Sequence, residues 1–309
     1  MRLLEFKNDG NFSLTKDLID KIPPYAILSH TWGEDDEEVT FQDLVQSVVG
    51  SKAGYRKIEF CGKQATRDGL HYVWIDTCCI DKSSSNELSE AINSMFRWYH
   101  GAAKCYVYLS GVLKDNSDEN DQILGSSWES AFRKSRWFTR GWTLQELIAP
   151  VSVEFYSEEG KSLGDRRSLE QPIHEITGIP LNALQGVPMS QFSVPERISW
   201  AKNRETKREE DKAYSLMGIF NIHMPLIYGE GRENAFLRLH DQIDKRSMNS
   251  QAEELPNATQ AVSKALFIVP FERNHRFTGR ESQLAQLEEE LFVKDRTAKI
   301  AITGLGGHN

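Results

Sequence analysis

"ELSEAINSMFRWYHGAAKCYVYLSGV", residues 87–112, sets two structural periods back to back. In its first part Leu88, Ala91, Ile92, Met95, Phe96 and Tyr99 fall at i, i+3, i+4, i+7, i+8 and i+11, one continuous face of an α-helix. Ser84 and Glu87 have the spacing of a capping box at its start. The second part, "KCYVYLSGV" (104–112), is a short apolar run of the kind buried on both faces of a sheet. Working outward, "YAILSH" (25–30), "HYVWIDTCCID" (71–81) and "VSVEFYS" (151–157) read as further buried strands. "GYRKIEFCGKQATRDG" (54–69) reads as a helix with Ile58, Cys61 and Ala65 on one side and Gly69 closing it. Apolar strands alternating with helices define an α/β fold over 1–160, a mostly parallel sheet flanked by helices.

Residues 161–246 change texture. "PERISWAKNR" (195–204), "EDKAYSLMGIF" (210–220) and "GRENAFLRLHDQIDKR" (231–246) each carry an apolar stripe, punctuated by Pro195 and a "YGEG" turn. An added helical subdomain packed on the sheet is expected here. Residues 247–263 lack a stripe and read as a linker. Over 264–309 a helix, "FTGRESQLAQLEEEL", precedes "KIAITGLGG", a strand running into glycines. That is the entrance to a phosphate-binding loop, which needs a Gly-Lys-Ser/Thr to bring backbone N–H groups and a lysine to the phosphates. "GLGGHN" reaches Asn309 with no lysine, so ATP or GTP binding is not expected from this motif.

Charge and composition exclude several classes. A net charge of −8 leaves no basic excess to neutralise a nucleic-acid backbone, so no nucleic-acid partner is expected. The mixed run "RETKREEDK" (204–212) reads as a solvated face. No apolar run approaches the ~20 residues of a membrane span, and charge interrupts the N-terminus too early for a signal peptide. Cys61, Cys78, Cys79 and Cys105 have neither disulfide-framework nor zinc-ribbon spacing, so no metal site is expected and the chain reads as cytoplasmic with reduced thiols.

Three blocks carry a resemblance to the fungal heterokaryon incompatibility (HET) domain: "IPPYAILSHTWGEDDEEVTFQDL" (22–44), residues 54–109 around "HYVWIDTCCID", and "SRWFTRGWTLQELIAP" (135–150). "REEDKAYSLMGIF" (208–220) extends it, and the tail resembles the opening of a STAND-type (NACHT or NB-ARC) NTPase, cut short after Asn309. The resemblance implies a role in nonself recognition and programmed cell death, a possible partner incompatibility protein, and self-association for activity. It further implies a distant kinship to TIR domains, which are flavodoxin-like. Some TIR domains hydrolyse NAD and others only assemble signalling platforms. Both behaviours are therefore expected alternatives. For the second, the helix over 87–103 is the candidate contact face.

For the first, "GWTLQEL" matches the TIR segment that carries the catalytic glutamate, which makes Glu146 the matching carboxylate, and "LSHTWG" follows the first strand at the equivalent place. NAD would be substrate, with no cofactor. The chemistry can be weighed separately: cleaving the N-glycosidic bond of NAD passes through an oxocarbenium-like transition state. Nicotinamide leaves neutral from a cationic substrate, so one carboxylate that steadies positive charge suffices. Ser29, His30 and Trp32 stand at the carboxyl end of the first strand and Asp76 at that of the second, where open α/β sheets bind ligands. Trp142, four residues before Glu146, would complete the pocket wall.

Each residue has a structural alternative. Glu146 can pair with Arg136 or Arg140, and His30 can be a hydrogen-bonded core histidine. Asp76 and Asp81 can cap a turn, and Trp74, Trp137 and Trp142 can be core. Cys78 can be a nucleophile beside His30 and Asp76, against the plainer reading of Cys78 and Cys79 as small buried residues.

Overall fold

The computed structural model describes residues 1–253 other than 8–10, 35, 47, 49, 51 and 115–126. These residues fall within one compact unit, Met1–Leu255. The tail over 264–309 and most of the expected linker lie outside the described residues.

Seven strands form one sheet: β1 (Leu4–Phe6), β2 (Phe12–Leu14), β3 (Tyr25–His30), β4 (Tyr72–Trp74), β5 (Lys104–Tyr108), β6 (Val153–Tyr156) and β7 (Ser162–Asp165). Their order is β2-β1-β4-β3-β5-β6-β7. The four central strands are parallel, and β1, β2 and β7 are antiparallel additions at the two sides. In chain order the parallel core runs second, first, third, fourth, as in flavodoxin-like sheets, so the order reverses between β3 and β5. Every residue of β3 is buried, as its uninterrupted apolar run requires.

Helices cover the sheet: α1 (Phe41–Val45), α2 (Tyr55–Arg67), α3 (Ser85–Gly101), α4 (Ser127–Arg133) and α5 (Thr143–Ile148). On α2, Ile58, Cys61 and Ala65 are buried and Gly69 takes a positive φ of 73° after the helix. On α3, Ala91, Ile92, Met95, Trp98 and Tyr99 are buried, whereas Glu90, Arg97 and His100 face out. Its apolar face is therefore core, which removes the 87–103 helix as a ready contact surface. The capping box is half made: Ser84 accepts from the Glu87 N–H at 3.4 Å, but the Glu87 carboxylate turns to the Asp81 N–H at 2.8 Å and to Arg2.

The expected helical region is present: α6 (Glu170–Thr177), α7 (Leu181–Leu184), α8 (Val194–Ser199), α9 (Asp211–Tyr214), α10 (Met217–Phe220) and α11 (Gly231–Glu253). Two details differ. The edge strand β7 falls inside the stretch read as helical, and α11 continues to Glu253 rather than ending near 246. Gly218 lets α10 approach α3, since a Cβ there would lie 2.2 Å from that of Phe96. Among the described residues no helix is long and apolar enough to cross a membrane.

Candidate active site

The strand at 71–81 is shorter than expected. β4 ends at Trp74, and the chain turns at once, with the Cys78 and Cys79 N–H groups bonded to the Ile75 carbonyl at 3.3 and 2.9 Å. That turn sets Asp76 at the carboxyl end of the sheet, beside the end of β3. Asp76 Oδ2 accepts from the Trp32 indole N–H at 2.8 Å, and Oδ1 lies 3.9 Å from His30 Nδ1. Oδ1 is buried and has no hydrogen-bond partner, so it is a free acceptor. Asp81, by contrast, caps its turn through the Ser83 N–H at 3.0 Å.

Ser29, at the end of β3, links the sheet to α5. Its hydroxyl donates to Glu146 Oε2 at 2.5 Å and accepts from the Trp137 indole N–H at 2.8 Å. Tyr99 flanks the same carboxyl, with its hydroxyl on the Leu28 carbonyl at 3.1 Å. Glu146 itself is only 6% exposed. Neither proposed ion pair forms. Arg136 is exposed, and Arg140 acts on Glu146 only through its charge at longer range. Burial, followed by the Asp76 charge, pushes the Glu146 carboxyl up to about 8, against the opposing pull of Ser29, Arg140 and Tyr99. At neutral pH Glu146 is therefore mostly protonated unless a cation arrives beside it.

His30 is 4% exposed and stands between two carboxylates, with Nε2 3.8 Å from Glu38 Oε2. Glu38 also takes an ion pair from Lys57 and the Gly33 N–H at 2.7 Å. Burial alone would raise the Glu38 carboxyl, but His30, Lys57 and Gly33 together hold it down at about 2. The chain Asp76–His30–Glu38–Lys57 thus runs from the end of β4 past β3 to α2.

Trp142 does not join this group. Its indole N–H donates to Asp211 Oδ2 at 3.3 Å, toward the helical half. The sequence reading missed Arg204, which comes from that half. It is 3% exposed and donates through Nη1 to the Arg140 carbonyl at 2.9 Å and to Thr143 Oγ1 at 2.8 Å. Burial lowers its pKa to about 10, partly offset by the Glu146 charge, so it stays cationic at neutral pH. Beside it the Gly141 N–H donates to the Glu205 carbonyl at 2.8 Å, an approach only glycine allows, since a Cβ would meet Thr206 Cγ2 at 2.4 Å. The run read as a solvated face thus contributes three buried charged residues, Arg204, Glu210 and Asp211.

All four cysteines are free and buried. The Cys78 thiol is pushed well up by its hydrogen bond with Cys79 and by burial, which removes the thiolate a nucleophile needs. Among the described residues no His/Cys/Asp/Glu group has the arrangement of a metal site. A cleft of about 570 Å³ lies elsewhere, between Thr206, Glu209 and Lys212 and the start of α11, and none of the expected site residues lines it.

Residues 25–126 match the family described as Heterokaryon incompatibility protein (HET). Over 246 residues, 79% of this chain, the sequence is 61% identical to Vegetative incompatibility protein HET-E-1 of Podospora anserina. The chain covers 18% of that relative, less than a fifth of its length. No solved structure matches the chain.

Proposed function

We propose that this chain acts in fungal vegetative incompatibility as a cell-death effector, and that it does so by cleaving NAD to nicotinamide and ADP-ribose. The first part is supported by the HET segment and by the 61% identity to an incompatibility protein. The second part goes further and takes up the kinship to TIR domains. The observation that carries it is the Ser29–Glu146 bond, which holds a carboxyl without a cationic partner beside the free acceptor Asp76 Oδ1. Both lie at the carboxyl ends of parallel strands next to the point where strand order reverses, where such sheets bind ligands.

In the reaction the bond from ribose C1′ to the nicotinamide nitrogen breaks, and its electron pair stays with nicotinamide, which leaves neutral. Water then adds to C1′ and loses its proton. The cationic substrate favours ionised Glu146, which steadies the oxocarbenium-like charge. Asp76 Oδ1 accepts a ribose hydroxyl bond, His30 fixes the Asp76 carboxylate, and Trp32 supplies an aromatic wall. Self-association and a partner incompatibility protein belong to the same proposal as the trigger.

The test mixes concentrated protein with NAD and follows nicotinamide. Wild type releases it, and Glu146→Gln slows release at least about a hundredfold, as loss of a transition-state electrostatic contact does. Equal release by the two, or none by wild type, overturns the enzymatic reading.

A further inference from the structure

Two cations converge on the indole ring that binds Asp76. Lys82 Nζ sits 3.6 Å from the Trp32 ring centroid, and the Arg140 guanidinium carbon 5.5 Å from it. The same indole donates its N–H to Asp76, so the pair adjoins that carboxylate. Among the described residues neither cation forms an ion pair with a carboxylate. Their proximity is unfavourable by itself: loss of hydration against the ring lowers the Lys82 ammonium below its ordinary range, and Arg140 adds repulsion, while Asp76 pulls the other way.

Two positive groups against the Trp32 ring, Asp76 on its N–H and Glu146 close enough to feel the Asp76 charge make a dipolar site. A simple anion would be repelled by the carboxyls, and a simple cation by Lys82 and Arg140. A ligand with positive charge at one end and a doubly negative group a few bonds away satisfies both. A planar guanidinium and a compact ammonium are the two side chains suited to phosphate oxygens. We propose that Lys82 and Arg140 form a two-part anion site that receives the pyrophosphate of a dinucleotide whose ribose lies against Asp76 and Glu146. This rests on the NAD reading and adds how the substrate is selected: nucleosides without the pyrophosphate are poor ligands.

Calorimetric titration with ADP-ribose, which keeps the pyrophosphate and lacks nicotinamide, separates the two readings. Wild type binds it, with affinity falling as salt rises. Lys82→Ala and Arg140→Ala each weaken binding about tenfold, the loss of one charge-assisted contact, while Lys82→Arg retains it and adenosine titrations are unaffected. Both side chains reach solvent, and unchanged melting temperatures show that the variants fold. If wild type fails to bind ADP-ribose, or the double alanine variant binds it equally, the anion site is wrong. If ADP-ribose binding depends on both cations while NAD is never cleaved, the anion site stands and the chemistry falls. If NAD is cleaved with an unchanged KM in the double variant, the chemistry stands and the anion site falls.

Discussion

Arg204 reaches from the helical half to Thr143, with 2.8 Å between Nη1 and Oγ1, three residues before Glu146 in α5. The helical half is thereby fastened to the helix that carries the proposed catalytic group, and its Nη2 remains a buried donor with no partner.

Arg204→Ala is expected to destabilise the protein by about 2–4 kcal/mol, because it opens a cavity and removes the buried guanidinium's bonds to the Arg140 and Trp200 carbonyls and the Thr143 hydroxyl. Arg204→Lys should recover little, since an ammonium cannot span both acceptors and the Trp200 carbonyl as the guanidinium does. Urea unfolding of the three proteins measures this.

Glu146→Gln should stabilise the protein in alkali. The folded-state pKa of about 8 lies above the ordinary 4.5, so wild-type stability falls as pH rises between those values. Glutamine removes that slope, worth on the order of 5 kcal/mol for the rise from 4.5 to about 8 at about 1.4 kcal/mol per unit. Unfolding free energies from pH 5 to 9 should diverge in favour of the variant; parallel curves would count against a buried, elevated carboxyl.

The pH profile of NAD cleavage carries the same group. Activity should rise toward a plateau above about pH 8 as Glu146 ionises in the free enzyme. Ser29→Ala removes a hydrogen bond that favours the ionised form, so its rising limb should move to higher pH. The measurement is kcat/KM against pH for both proteins.

In acid the slope reverses. The Glu38 carboxyl sits at about 2 in the fold, so its contribution is complete above 4.5 and is lost as pH falls toward 2. Glu38→Gln should unfold more readily at pH 7 but show a flatter acid limb than wild type. Circular dichroism during acid titration reads both.

The parts of the fold set by local period were legible in the sequence. β3 matches "YAILSH" residue for residue, the named positions of α2 are buried, and on α3 Ala91, Ile92, Met95 and Tyr99 are buried while Leu88 and Phe96 are half-buried against the core. β1, β2 and β7 went unread: β4 and β6 are as short but lie within longer apolar runs, whereas β2 and β7 are half-buried or exposed at most positions. Ser29, His30, Trp32 and Asp76 lie together because they sit at or just beyond the ends of adjacent strands, and Ser29 meets Glu146 of α5. Trp142 did not follow, because its helical spacing to Glu146 says nothing of the Asp211 acceptor that takes its N–H. Glu38 and Arg204 were hidden for a different reason. Each sits in a run of charges that looks solvated, and only tertiary packing selects which members turn inward.

The parallel core is bounded on each side by brief antiparallel strands, β2 with three residues and β7 with four. So short a border offers an incoming chain only a few backbone donors and acceptors, and it suits poorly the strand-by-strand growth that seeds fibrils. Any gathering of copies would then have to proceed through side-chain surfaces.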